Sequence, residues 1–197
     1  MHILLTTILL SVMLTCGCEL FSTREPESPT GLSSSGWQFP RNPRTVLENL
    51  SNAIGRRSSV DYLRTFSSEV TEQGGFRFIP DPKTVNNHQG HFDGWDVERE
   101  RKWAEALFNP GVLPSDSISS FSFDVDFEIV LGDSADISAI YNLHLGISDV
   151  LEFAPRRMEG RIDFKLRRGV DGEWLVTRWM DFRTTGEPCW SDLKAFF

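Results

Sequence analysis

The chain has 197 residues, 40% of them hydrophobic, with fifteen Phe and six Trp; that is enough apolar material for a packed core and argues against disorder. Its 20 Lys and Arg stand against 28 Asp and Glu, a formal charge of -8 with a sequence pI near 5.0. The basic residues occur as scattered pairs such as Arg56-Arg57, Arg156-Arg157 and Arg167-Arg168, so the concentrated basic face that a nucleic acid requires is missing and that partner is excluded.

Ile3 to Leu14 is apolar apart from Thr6, Thr7 and Ser11. A helix of that length spans about 18 Å, short of the ~30 Å hydrocarbon core of a bilayer. It therefore reads as the apolar region of a secretory signal, although only Met1 and His2 precede it where a basic segment is usual. Leu14-Thr15-Cys16-Gly17-Cys18 follows, and this resembles the lipobox of bacterial lipoproteins. The resemblance implies cleavage before Cys18, with Gly17 as the small residue preceding it; Cys16 is the alternative. It also implies acylation of the thiol, and each buried methylene of such chains contributes ~0.8 kcal/mol to membrane attachment. Glu19 after the cysteine implies delivery to an outer membrane, facing the periplasm. From Ser22 to Thr45 the chain carries Pro26, Pro29, Pro40, Pro43 and the run Ser33-Ser34-Ser35, the composition of an extended tether. The division expected is a signal over 1–17, a lipidated Cys18 with tether over 18–42, and one domain over 43–197.

Pro43 opens a helix with Val46, Leu47, Leu50 and Ile54 on one stripe, and Gly55 stops it. Ser58 or Ser59 caps a second helix carrying Val60, Leu63 and Phe66. Phe76 and Phe78 form a short strand ended by the prolines, and a loop rich in Asn, His and Gly follows. Asp93 or Asp96 caps a third helix with Trp103, Ala104, Leu107 and Phe108 on one face. The second half is strand. Phe121, Phe123, Val125, Phe127, Ile129 and Leu131 point one way, and Asp124, Asp126 and Glu128 point to water, where Arg161 and Lys165 can pair with them. Ile137, Ala139, Tyr141, Leu143 and Leu145 continue the inner face after a turn at Gly132-Asp133. Met158, Ile162, Phe164 and Leu166 form a third inner row. Gly169 to Gly172 is a hairpin. The last strand places Trp174, Val176, Met180 and Phe182 on one side and Leu175 and Trp179 on the other, which suits a central, covered position. Ser191 caps a final helix.

Helices followed by a curved antiparallel sheet make an α+β fold. The element order, the segment Val46-Leu47-Glu48-Asn49-Leu50-Ser51-Asn52-Ala53-Ile54 followed by Tyr62-Leu63-Arg64-Thr65-Phe66, and the closing Trp174-Leu175-Val176-Thr177-Arg178-Trp179 resemble the nuclear-transport-factor-2-like (NTF2-like) superfamily. That resemblance implies a conical sheet around helices, sometimes with a pocket at its wide end. It implies no single activity, because the fold hosts isomerases, dehydratases and binding modules.

Enzymes of that superfamily set an acid, a base or a Tyr on the inner face, where apolar walls raise a carboxyl's pKa. Here the inner face reads as apolar core, and no catalytic set emerges. By residue type, a pocket would use Tyr62, Trp95, Trp103, Tyr141 and Arg178, the last sharing a parity with Trp174 and Val176. His88, His91 and Asp93 form His-x-x-His-x-Asp without a fourth ligand and read as a polar loop, so no metal or cofactor is expected. Cys189 lacks a nearby His and reads as a buried, inert thiol. The expectation is a membrane-anchored, non-catalytic domain with a structural or partner-binding role, the partner being another protein or a second copy of itself. The alternative is an apolar-ligand binder or isomerase-like enzyme using the cone.

Overall fold

In the computed structural model, residues 36–68, 75–184 and 186–197 are described. The expected signal, Cys16, Cys18 and the part of the expected tether up to residue 35 lie outside the described residues. The last residues before the first helix lie on the domain. Asn49 of that helix accepts from the Gln38 amide and donates to its carbonyl, and Trp174 donates its amide to Pro40.

Helix α1 (Pro43–Arg56) starts where Asn42 Oδ1 accepts from the Thr45 amide, and its Val46, Leu47, Leu50, Ala53 and Ile54 are buried. It does not stop at Gly55. It runs one residue further and ends at Arg57, which takes the left-handed conformation at φ 56°. The Arg57 guanidinium donates to the carbonyls of Ser115 and Ser117, which holds a side-chain-bearing residue in that rare region. Ser58 caps the short α2 (Ser59–Leu63), and Phe66 lies beyond it, bridged to Val176. Strand β1 (Arg77–Ile79) is followed by a helix where a loop was expected, α3 (Pro82–Asn87). Asp81 caps it through the amides of Lys83 and Thr84, and Pro82 opens its first turn. Asp96 caps α4 (Val97–Leu107).

Strands β2 (Ser120–Leu131), β3 (Ser134–His144), β4 (Arg157–Arg168) and β5 (Trp174–Phe182) are joined in one sheet of order β1-β5-β4-β3-β2. The long strands pair antiparallel, and β1 pairs parallel with β5. Helix α1 packs on β2 and β5, α2 packs on α1, α4 on α2, and α5 meets β4, so the architecture is the α+β one expected, helices against a mostly antiparallel sheet. The expected inner rows of β3 and β4 are buried throughout.

Two bulges redirect the other rows. In β2 the register slips at Asp126, so Val125 faces Ala139 but Phe127 faces Ser138. One extra residue reverses the alternation. Phe127, Ile129 and Leu131, expected inside, therefore lie on the outer side, with Phe127 54% and Leu131 69% exposed. Glu128 turns inward and pairs with Arg44 of α1. Because β2 and β4 are not neighbours, the pairs expected between them do not form; Lys165 pairs with Asp136 of β3 and Arg161 with Asp163. In β5 the slip falls at Thr177, so Leu166 faces Val176 while Phe164 faces Trp179. Trp179 and Asp181 become the inward residues, both buried, in place of the expected Met180 and Phe182, and Arg178 turns outward.

Gly160 of β4 passes under the Tyr141 ring. A Cβ there would stand 2.6 Å from the Phe182 carbonyl oxygen and 2.8 Å from the Tyr141 hydroxyl. Gly160→Ala should destabilise the domain by about 1–3 kcal/mol through overpacking, read as a lower midpoint in urea unfolding.

The final helix α5 (Trp190–Phe196) is capped by Cys189 and not by Ser191, which lies in the first turn with its hydroxyl turned to Asp181.

Candidate functional site

Two buried polar clusters occupy the space between the sheet and α5. The first is an ion pair inside the apolar core. Glu100 lies on the α4 stripe that buries Trp103, Ala104 and Leu107, and Lys194 lies on the α5 stripe that buries Trp190 and Leu193. Neither side chain is exposed at all. Lys194 Nζ stands 2.5 and 2.6 Å from the two Glu100 carboxylate oxygens. Tyr62 of α2 donates its hydroxyl to Glu100 Oε1 at 2.5 Å, and Trp95 donates its indole N–H to Oε2 at 2.7 Å. Each carboxylate oxygen thus receives two hydrogen bonds. Aromatic faces surround the ammonium: Trp103 at 3.9 Å, Phe78 at 4.7 Å, Trp95 at 4.8 Å and Trp179 at 5.9 Å from Nζ to ring centre.

Burial pushes the Lys194 ammonium down to about 8, with Glu100 and then Asp181 opposing the shift. Burial, reinforced by the neighbouring Glu100 carboxylate, holds the Tyr62 hydroxyl well above its ordinary range.

The second cluster centres on Asp181. Its Oδ1 accepts from the Tyr141 hydroxyl at 2.9 Å, and its Oδ2 accepts from the Ser191 amide and hydroxyl at 2.7 and 2.6 Å. The Tyr141 oxygen in turn accepts from the Trp190 amide at 2.6 Å, and the Ser191 oxygen from the Asp81 amide at 2.9 Å. Burial raises the Asp181 carboxyl pKa against the lowering effect of these donors. Nearer the surface, Asp192 accepts from Thr84, the Cys189 amide and Arg183, and these bonds hold its pKa down against burial. The clusters together fasten α5 to β5, α3 and α4.

Of the five residues singled out by type, the structure brings three to one point: Tyr62, Trp95 and Trp103 surround the Glu100–Lys194 pair. Tyr141 belongs to the Asp181 cluster. Arg178 is exposed on the outer face, beside Arg77, Lys165 and Arg167, because of the bulge at Thr177. The apolar inner face expected of the sequence is corrected as well, since Asp181 projects from it. Glu100, Lys194, Asp181 and Ser191 were missed. A signal existed for the first two: 100, 103, 104 and 107, and 190, 193, 194 and 197, are each helical stripes with one charge set among apolar residues. Asp181 had no such signal, because its side of the strand depends on the bulge.

His88 and Asp93 are exposed, and His91 meets Phe92 edge-on, lies tilted against Trp95 and contacts the Lys194 carbonyl. Among the described residues no group of three His, Cys, Asp or Glu side chains is placed to hold a metal ion. Cys189 is fully buried, and burial pushes its thiol up to about 12. In the native chain it should resist iodoacetamide at pH 8 and be alkylated only on unfolding, which peptide mass spectrometry reads directly.

No family model and no curated protein matches the chain. Solved structures do. A protein named as a candidate aromatic ring hydroxylase from Novosphingobium aromaticivorans aligns at 14% identity, over 77% of this chain and 92% of that one, with TM-score 0.52. A conserved protein from Planctomyces limnophilus aligns at 15% identity, over 71% and 91%, with TM-score 0.51. The Kfla4162 protein from Kribbella flavida aligns at 13% identity, over 76% and 91%, also at 0.51. At these identities the likeness is one of fold.

Proposed function

We propose that this chain is a lipoprotein of the cell envelope, anchored through Cys18 on the periplasmic side of an outer membrane, whose domain binds a partner and performs no catalysis. The observation that carries the non-catalytic reading is the state of Glu100. A general acid or base has to reach the proton it moves. Here the carboxylate inside the cone is fully buried, and both its oxygens are taken by Lys194, Tyr62 and Trp95 of the same chain. Asp181 is buried and fully engaged in the same way. The anchoring reading rests on the lipobox and tether; among the described residues no helix is long and apolar enough to cross a membrane.

Two measurements test the proposal. Mass spectrometry of the mature N-terminus should find an acylated Cys18, and Cys18→Ser should release the chain from the membrane fraction; an unmodified N-terminus would remove the anchor. Native mass spectrometry of the extracted chain should show no retained small molecule. A molecule retained in stoichiometric amount would favour a ligand-binding cone, the rival reading.

A further inference from the structure

The surroundings of Lys194 Nζ are those of a bound ligand. A carboxylate grips it with both oxygens, and four aromatic rings present their faces within 6 Å of it. These groups come from separate parts of the fold: Phe78 from β1, Trp95 from the loop before α4, Glu100 and Trp103 from α4, and Trp179 from β5. Tyr62 of α2 and the Trp95 indole N–H hold the carboxylate in place. Lys194 Nζ lies over the rings of Trp103 and Trp179, so these two meet the ammonium with their faces. A carboxylate with aromatic faces around one point is the arrangement that recognises organic ammonium ions.

The cation, by contrast, arrives on a helix of seven residues at the end of the chain. A helix of that length does not hold itself together in water and depends on what it docks against. Its docking includes a buried ion pair, in which desolvation offsets much of the Coulomb attraction.

We propose that the interior of this domain is a recognition site for a primary alkylammonium compound, with Lys194 as its built-in occupant and α5 as the plug that carries it. This goes beyond the partner-binding reading. That reading concerns the resting form, in which the plug is seated; an external amine of similar reach would compete with Lys194 for Glu100 and displace α5.

The test uses the full chain. Lys194→Ala removes the side chain beyond Cβ, a volume that n-propylammonium matches. Thermal unfolding should show a lower Tm for this variant. A saturable recovery by n-propylammonium is expected, with no recovery by 1-propanol at the same concentration and none in Lys194→Ala/Glu100→Gln. Equal responses to the amine and the alcohol, or no response to either, would overturn the site.

The unaltered chain gives the second arm and needs no variant to fold. Amide hydrogen exchange across Trp190–Phe196 should accelerate on titration with n-butylammonium, with the rest of the sheet unchanged. Unaltered exchange in α5 up to the solubility limit of the amine would overturn the plug. Neither arm depends on the acyl anchor or on a protein partner, so loss of this inference and loss of the functional reading are separable.

Discussion

Lys194→Met should lower the stability of the domain by about 3–5 kcal/mol, because it leaves the Glu100 carboxylate charged and buried without its counter-ion. For a domain of this size the fall in Tm is roughly 10 °C. Adding Glu100→Gln to that variant should recover about 2 kcal/mol, since the stranded charge is gone while an amide oxygen still accepts from Tyr62 or Trp95. A double variant no more stable than the single one would mean that the loss came from packing against Trp103 and not from charge. The same pair predicts a pH dependence. The folded ammonium sits at about 8, below its ordinary 10.5, with Glu100 and Asp181 the charged groups facing it. Between those values the unfolded chain binds more protons than the folded one, so stability should rise as pH rises from about 8. Tyr62 is raised, and its contribution is lost only as pH rises above 10. Scans from pH 8 to 9.5 should therefore show Tm climbing in the unaltered chain and falling in Lys194→Met, where the Cys189 thiol, raised from 9.0 to about 12, titrates differently in the two states.

Asp181→Ala should cost about 3–4 kcal/mol. Three donors converge on that carboxylate, from the Tyr141 hydroxyl and from the Ser191 amide and hydroxyl, and all would be stranded in the core. Asp181→Asn is nearly the same size but sets an amide N–H against one of those donors, so about 2 kcal/mol of the loss should remain. Chemical denaturation at pH 7 reads both. In acid the sign is fixed by burial, which raises the folded carboxyl above its ordinary value. Its contribution is complete below about 3.8 and is lost as pH rises through the raised value, opposite to a salt-bridged carboxylate. Removing Asp181 should flatten that part of the profile.

The parts of the fold that a strict repeat specifies were legible. The α1 stripe and the alternation of β3 and β4 follow from residue type and spacing, as does the capping of α4 by Asp96, one of two positions the sequence offered, and with them the α+β plan. What escaped is what one inserted residue decides. Asp126 and Thr177 each flip the rest of their strand, and neither is a glycine or a proline that would announce a bulge. That is why Arg178 was a pocket candidate by its parity and Asp181 was not, and why Phe127 and Leu131 were assigned to the core. Helix α3 escaped because the prolines were read as the end of a strand, whereas Asp81-Pro82 is a cap followed by a first helical residue. The chemistry at Glu100 and Lys194 was written in the sequence as charges on apolar stripes. Only the fold brings the two stripes together.

Glu100 and Lys194 are ninety-four positions apart. During synthesis or export from the N-terminus, α4 therefore emerges long before the cation that neutralises it. Nothing earlier in the chain takes that cation's place against Glu100 among the described residues. The core closes only once Lys194 has followed, a late and non-local step of the kind that slows folding. A stop codon just before Trp190 would leave strands β1 to β5 intact and still strip Glu100 of its cation. Closure of the core is thus conditional on a segment made long after the carboxylate it neutralises.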